Sequence, residues 1–271
     1  MRFYPLLSLA IIVSQILLYP ASETAASSTR EAHNGGSRHF ETLQELETLS
    51  VPYRTEGEVS SARLAWCENV IAKAFRSLPA DHVNAVKRLT LSFDPEIRRG
   101  LAGGNTMVLR CVDVDEAELV AVTVHEMGHI ADTGWLHAAE PGEKTSFVDR
   151  GTTVYSTDPS AELYSVSWED NRSFTGQSPD FVSGYAMTNP YEDFAESYAM
   201  YVLHGSLFRF YAEHNEALKQ KYEFMKWEVF DGVEYDFTLE SIPAAREAWS
   251  RVYDVTRLDY DLESFVALRE S

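Results

Sequence analysis

Positive charge is scarce in this chain. Its 271 residues include 23 Lys and Arg against 42 Asp and Glu, a formal net charge of −19. Nucleic acid and anionic membranes are bound through clustered basic side chains, so neither is expected as a partner. Cysteine is nearly absent as well. Cys67 and Cys111 are the two present, and they form no C-x-x-C pair, which argues against a cysteine-ligated metal. Beyond residue 20 no apolar run approaches the length needed to cross a bilayer. No segment repeats at a fixed period, which excludes solenoid and propeller architectures.

What is present begins with a targeting pattern. Arg2 precedes a mostly apolar stretch over residues 6–19, broken by Ser8, Ser14 and Gln15 and followed by Ala21, Ser22, Ala25 and Ala26. That is the length and flanking chemistry of a signal peptide, expected over residues 1–21, so the mature protein is expected to be secreted or periplasmic and free of membrane. Residues 22–39 are small and polar and read as a disordered spacer. Residues 40–271 then suffice for one domain, with an N-terminal lobe over about 40–133 and a C-terminal lobe over about 134–271. In an oxidising compartment Cys67 and Cys111 are expected to form a disulfide. Closing a loop of that size stabilises by roughly 3–4 kcal/mol in the loop-entropy model.

The coarse pattern is α+β. Residues 40–49 and 60–78 read as helices. Residues 89–93 and 106–112 read as two strands joined through a Gly-rich turn at 100–104, with Met107 to Arg110 as a candidate edge strand for holding an extended peptide. A helix starts at Asp115, which stands three residues before Glu118 in a capping-box spacing. Val120, Val124, Met127 and Ala131 give that helix an apolar stripe. Residues 134–183 are polar and punctuated by Gly and Pro, with alternation at 163–168 that suggests a strand or hairpin. Asn171-Arg172-Ser173 is a glycosylation sequon. Asn189 and Pro190 open a second strong helix, and residues 208–227 read as a further helix.

His125-Glu126-Met127-Gly128-His129 carries the chemistry. It is an H-E-x-x-H motif. Residues four apart share one face of a helix, so both imidazoles can reach one metal ion while Glu126 stands ready as a base. Gly128 is a poor helix former and marks a place where something must approach closely. A catalytic zinc needs a third protein ligand. The pattern H-E-x-x-H-x-x-G-x-x-H fails, because Asp132 and Trp135 occupy the positions that need Gly and His. His137 lies off that spacing, and Asp132 serves to orient a histidine or to end the helix. The helix from Asn189 offers Glu192, Asp193 and Glu196. Glu192 and Glu196 share a face, which suits one carboxylate on a metal and another on a histidine's second nitrogen. Glu192 is the favoured ligand of the three.

HEMGH followed by Gly184-Tyr185 and Asn189-Pro190-Tyr191-Glu192-Asp193-Phe194-Ala195-Glu196 resembles the gluzincin peptidases related to the catalytic domain of anthrax lethal factor. It is also similar to the secreted clostridial Pro-Pro endopeptidases and to a group of bacterial zinc-binding metallopeptidases. The resemblance implies a zincin-like fold, with a small N-terminal sheet and active-site helix ahead of a mostly helical C-terminal lobe. It implies one zinc ion on His125, His129 and Glu192, with Glu126 as general base. Tyr185 would face the reacting carbonyl, and Glu196 is the second acid of the E-x-x-x-E pattern. The expected activity is hydrolysis of a protein or peptide substrate. The lack of a G-x-M-E-N amine-binding motif favours an endopeptidase. The alternative is a non-catalytic metal- or peptide-binding protein that keeps the fold, which would have no need of Glu126.

Overall fold

Ser60 caps the first long helix of the chain, its hydroxyl accepting from Arg63 N at 3.3 Å. The computed structural model describes residues 45–136, 142–235 and 252–268. The expected signal peptide, the spacer and His137 lie outside them. A short helix α1 (Glu45–Thr48) leads to strand β1 (Tyr53–Glu56), then α2 (Ser61–Arg76) and α3 (Ala80–Asn84). Strands β2 (Arg88–Ser92), β3 (Gly100–Gly103) and β4 (Thr106–Arg110) complete a four-stranded sheet of order β1-β2-β4-β3. β1, β2 and β4 run parallel, and β3 runs antiparallel to β4 at the edge.

Two expectations for this region need correction. The glycine-rich stretch at 100–104 is a strand for most of its length, with the turn confined to its end. Gly103 and Gly104 have φ of 156° and 56°, a conformation that favours glycine. Met107 to Arg110 is therefore not the edge. It lies inside the sheet between β2 and β3, with Met107 and Leu109 fully buried. Alternation in the sequence identifies a strand but does not say which neighbour covers its far side.

The helix after β4 is α4 (Glu116–Ile130). Asp115 accepts from Glu118 N at 2.8 Å, the cap expected from its spacing. Val120, Val124, Met127 and Ala131 are all fully buried, but so is nearly every residue between Leu119 and Gly128. The helix is buried on all sides, with the sheet and α2 on one side and later helices on the other. A π turn (Ala131–Trp135) carries it on, closed by Leu136 N donating to Ala131 O at 2.9 Å.

Cys67 of α2 and Cys111 at the end of β4 form a disulfide with Cα atoms 5.9 Å apart. Arg63 reinforces it, donating to Cys111 O at 2.6 Å and Val114 O at 3.1 Å. The segment that feeds α4 is thus fastened to α2. A disulfide accords with an extracellular or periplasmic location. Among the described residues no helix is long and apolar enough to cross a membrane.

After α4 comes a hairpin of β5 (Lys144–Asp149) and β6 (Thr152–Tyr155). Residues 163–168, expected to form a strand or hairpin, lie instead in and just after helix α5 (Ser160–Ser167). Ser160, Ala161, Leu163, Tyr164 and Ser167 are the buried positions, and this spacing is one face of a helix rather than of a strand. Asn171 of the sequon braces the hairpin. Its amide donates to Val148 O at 2.7 Å and its oxygen accepts from Val148 N at 2.9 Å. Helices α6 (Pro190–Leu203), α7 (Gly205–His214) and α8 (Glu216–Phe224) follow. The single helix expected over 208–227 is broken at Asn215, which caps α8 by accepting from Leu218 N. The described chain ends with a 3-10 turn (Val255–Arg257) and α9 (Leu262–Ala267). The whole is α+β: a mixed four-stranded sheet, one long helix, then a mostly helical part.

His82 and His204 are buried in this core, and burial pulls each imidazole down from 6.5 to about 4. The unfolded chain takes up these protons near pH 6.5, whereas the folded chain resists until about pH 4. Stability from these two groups is therefore complete above about pH 6.5 and is lost as pH falls toward 4, by on the order of 3 kcal/mol per histidine. Urea denaturation at pH 7 and pH 4.5 is expected to show this loss, and replacing His204 by Gln is expected to reduce it.

Candidate metal centre

Three side chains from two helices meet between α4 and α6. His125 and His129 lie one turn apart on α4, and Glu192 lies in the first turn of α6. Glu192 Oε2 is 3.3 Å from His125 Nε2 and 3.3 Å from His129 Nε2. One ligand atom from each residue falls within 4.8 Å of the others. Zinc bonds of 2.0–2.1 Å in tetrahedral geometry place neighbouring ligand atoms about 3.3–3.4 Å apart. The donor set of two imidazoles and one carboxylate is also the set that zinc takes at catalytic sites. Glu192 Oε2 is buried and has no aligned hydrogen bond of its own. These residues fit a divalent metal ion.

The closeness of the two helices has a local cause. A Cβ at Gly128 would stand 2.7 Å from Ala195 Cα and 3.1 Å from Ala195 O. Glycine in α4 therefore lets the backbones approach to a distance that any side chain would prevent. The first turn of α6 is fixed by Asn189, whose side chain accepts from Tyr191 N and Glu192 N, both at 3.0 Å, with Pro190 at the first helical position.

Glu196, one turn beyond Glu192, is fully buried, and its Oε1 lies 2.9 Å from His125 Nδ1. Its other oxygen accepts from Ser183 Oγ and, at 2.9 Å, from Val255 N. Asp193 faces away from His125 and His129. Its Oδ2 accepts from Lys221 Nζ at 2.6 Å and Trp168 Nε1 at 3.0 Å, both buried. Tyr185 reaches the centre from a short 3-10 turn, donating from its hydroxyl to Glu192 Oε1 at 3.3 Å. Asp132 is tied to α5, its Oδ1 accepting from Tyr164 Oη at 2.6 Å. Burial pushes its carboxyl up to about 7 against that hydrogen bond.

Electrostatics in the cluster are set by burial and by neighbours of opposite charge. Burial alone would lower the His125 pKa, but the Glu192 and Glu196 carboxylates beside its two ring nitrogens raise it well above its ordinary value. Burial would raise Glu192, and the two histidines hold it far below the carboxylate range instead. Burial also raises Glu126, against the pull of His125 and His129. Glu126 is 6 % exposed, and its Oε2 has no hydrogen-bond partner. Burial and the Glu192 carboxylate together keep Tyr185 protonated.

Two supports gave no recognisable sequence signal. The first is the segment at residues 252–256. Gly184 N donates to Val252 O at 2.9 Å, Tyr185 N to Tyr253 O at 2.5 Å, and Val255 N to Glu196. Arg99, just before β3, anchors the same segment through Asp254 and Thr256 Oγ1. The second is the edge strand itself. Arg110 N donates to Arg99 O, which sets the alternation of the β3–β4 pair. Arg99, Leu101 and Gly103 accordingly turn their backbone groups to β4, and those of Gly100 and Ala102 face the open side.

No protein-family model, curated protein or solved structure matches the chain. The geometry alone thus defines a buried His125–His129–Glu192 group able to hold a metal ion.

Substituting Gly128 by Ala normally favours a helix by about 1 kcal/mol. Here the added methyl meets backbone of α6, and the expected net effect is a loss of about 1–3 kcal/mol. Separation of Glu192 from the histidines is expected to weaken zinc binding roughly ten- to a hundredfold, the range seen when support of a metal ligand is removed. Thermal melts and a chelator competition titration measure the two quantities.

Proposed function

We propose that this protein is an exported zinc-dependent peptidase of the gluzincin type, acting on bonds within a protein or peptide chain. The observation that carries the reading is the pairing of the His125–His129–Glu192 group with a buried Glu126 carboxylate beside it whose Oε2 has no hydrogen-bond partner. A binding scaffold needs the first and not the second. The exposed edge of β3 supports a peptide as the substrate, since an extended chain can add to it through backbone hydrogen bonds.

His125, His129 and Glu192 hold the metal, and Glu196 orients the His125 ring from its Nδ1 side. Zinc bound there supplies a Lewis acid and lowers the pKa of water toward neutrality. Glu126 Oε2 accepts a proton from the attacking water and passes it to the nitrogen of the departing amine. The Tyr185 hydroxyl, kept protonated by its surroundings, donates a hydrogen bond to the substrate carbonyl oxygen as negative charge gathers on it. Burial of the cluster excludes bulk water and strengthens each of these interactions.

Purified protein dialysed against metal-free buffer is expected to retain close to one zinc per chain by elemental analysis. A peptide library should be cleaved, and a chelator should stop the cleavage. Glu126→Gln is expected to keep the zinc and lose turnover by about 10²–10⁴-fold or more, whereas Glu192→Ala is expected to lose the zinc. Full turnover by Glu126→Gln would sink the mechanism. Failure to bind zinc after reconstitution would leave a non-catalytic binding protein in its place.

A further inference from the structure

Gly100 has no conformational reason to be glycine. It sits in a β-strand and, unlike Gly103 and Gly104, does not adopt a positive φ. Glycine weakens a strand, so its presence there points to a close approach. The neighbour is Glu126. A Cβ at position 100 would stand 2.3 Å from Glu126 Oε1, 2.7 Å from its Cγ and 2.8 Å from its Cδ. Three atoms of the arm are affected, so the conflict is not with the tip of a mobile side chain. The arm has little room to yield, because Glu126 is 6 % exposed and lies against the strand. Gly100 also presents its own N–H and C=O to the open side of the sheet.

We infer that Gly100 is the positioning residue for the general base: the missing side chain lets the Glu126 carboxylate stand directly beneath the strand that grips the substrate. One residue then fixes the height of the base relative to the bound peptide. The inference rests on the peptidase reading for its catalytic consequence, but the packing it describes is independent of activity. An added methyl must push the carboxylate aside or lift β3, and either movement misaligns base and peptide. Misplacement of about 1 Å can cost on the order of 10²-fold in rate.

The test is a double-mutant cycle with two readouts, conducted on the zinc-loaded full chain. Gly100→Ala is expected to lower kcat on the order of 10²-fold, with KM and zinc content little changed. It is also expected to lower Tm. Both losses should shrink when Glu126 is shortened. Gly100→Ala in a Glu126→Asp background should cost less kcat, and in a Glu126→Ala background it should leave Tm almost unchanged. The second comparison serves even if Gly100→Ala alone fails to fold, since removing the arm should then restore folding. Equal Tm losses with and without Glu126 would overturn the assignment. So would wild-type cleavage accompanied by an undiminished kcat in Gly100→Ala. Absence of peptide cleavage by the wild type, with the Tm coupling intact, would overturn the catalytic role and the peptidase reading together while leaving the contact between the residues established.

Discussion

The contact between α4 and α6 at Gly128 and Ala195 is the constraint on which the metal centre depends. A metal ion needs its ligands within a few ångströms, yet His125 and His129 belong to one helix and Glu192 to another. Helices separated by side chains of ordinary size pack with axes about 8–10 Å apart. Here backbone meets backbone, and Glu192 Oε2 comes to 3.3 Å from both imidazoles. The other supports each fix one of these two helices in place. The Cys67–Cys111 disulfide and Arg63 fix the approach to α4. Asn189 fixes the start of α6, and the Asp193–Lys221–Trp168 group fixes its rotation from the far side.

The polar groups of the centre are buried, and burying charge is costly unless each group has a partner. Glu192 faces two imidazoles, Glu196 a ring nitrogen, a hydroxyl and an amide, and Asp193 an ammonium and an indole. Glu126 Oε2, like Glu192 Oε2, Glu196 Oε1 and Asp193 Oδ1, is buried without an aligned hydrogen bond, but it has no imidazole or ammonium directly opposite it as those three carboxylates do.

Much of this was legible in the residues themselves. The H-E-x-x-H spacing, the Asp115 and Asn189 caps and the glycine at 128 act within one or two helical turns, so the local pattern is enough to read them. Glu192 and Glu196 could be placed on one face, but choosing among Glu192, Asp193 and Glu196 needs to know what lies on each side of α6. That depends on α8, where Lys221 takes Asp193 away from the centre. The errors share a similar cause. Residues 163–168 alternate in polarity, yet they are buried with helical spacing because α5 packs on α8. Residues 107–110 were a good strand with its outer neighbour, β3, hidden in a glycine-rich stretch that resembles a turn. The role of Gly100 depends on a contact with a residue 26 positions later, for which no local pattern exists.

The segment at residues 252–256 has a consequence in time as well as in space. Glu196 Oε2 and the backbone N–H of Tyr185 are bonded by residues that the ribosome makes after His125, His129 and Glu192 and after the whole of α6, α7 and α8. While the chain is still growing, Glu196 lacks the amide of Val255 and Tyr185 lacks its tether. A buried carboxylate without its partner is unstable, so the two-helix cluster cannot settle into its final form until this late stretch has arrived. Assembly of the His125–His129–Glu192 group is thus linked to the late arrival of residues 252–256: the cluster stays incomplete until the chain that braces it has been made.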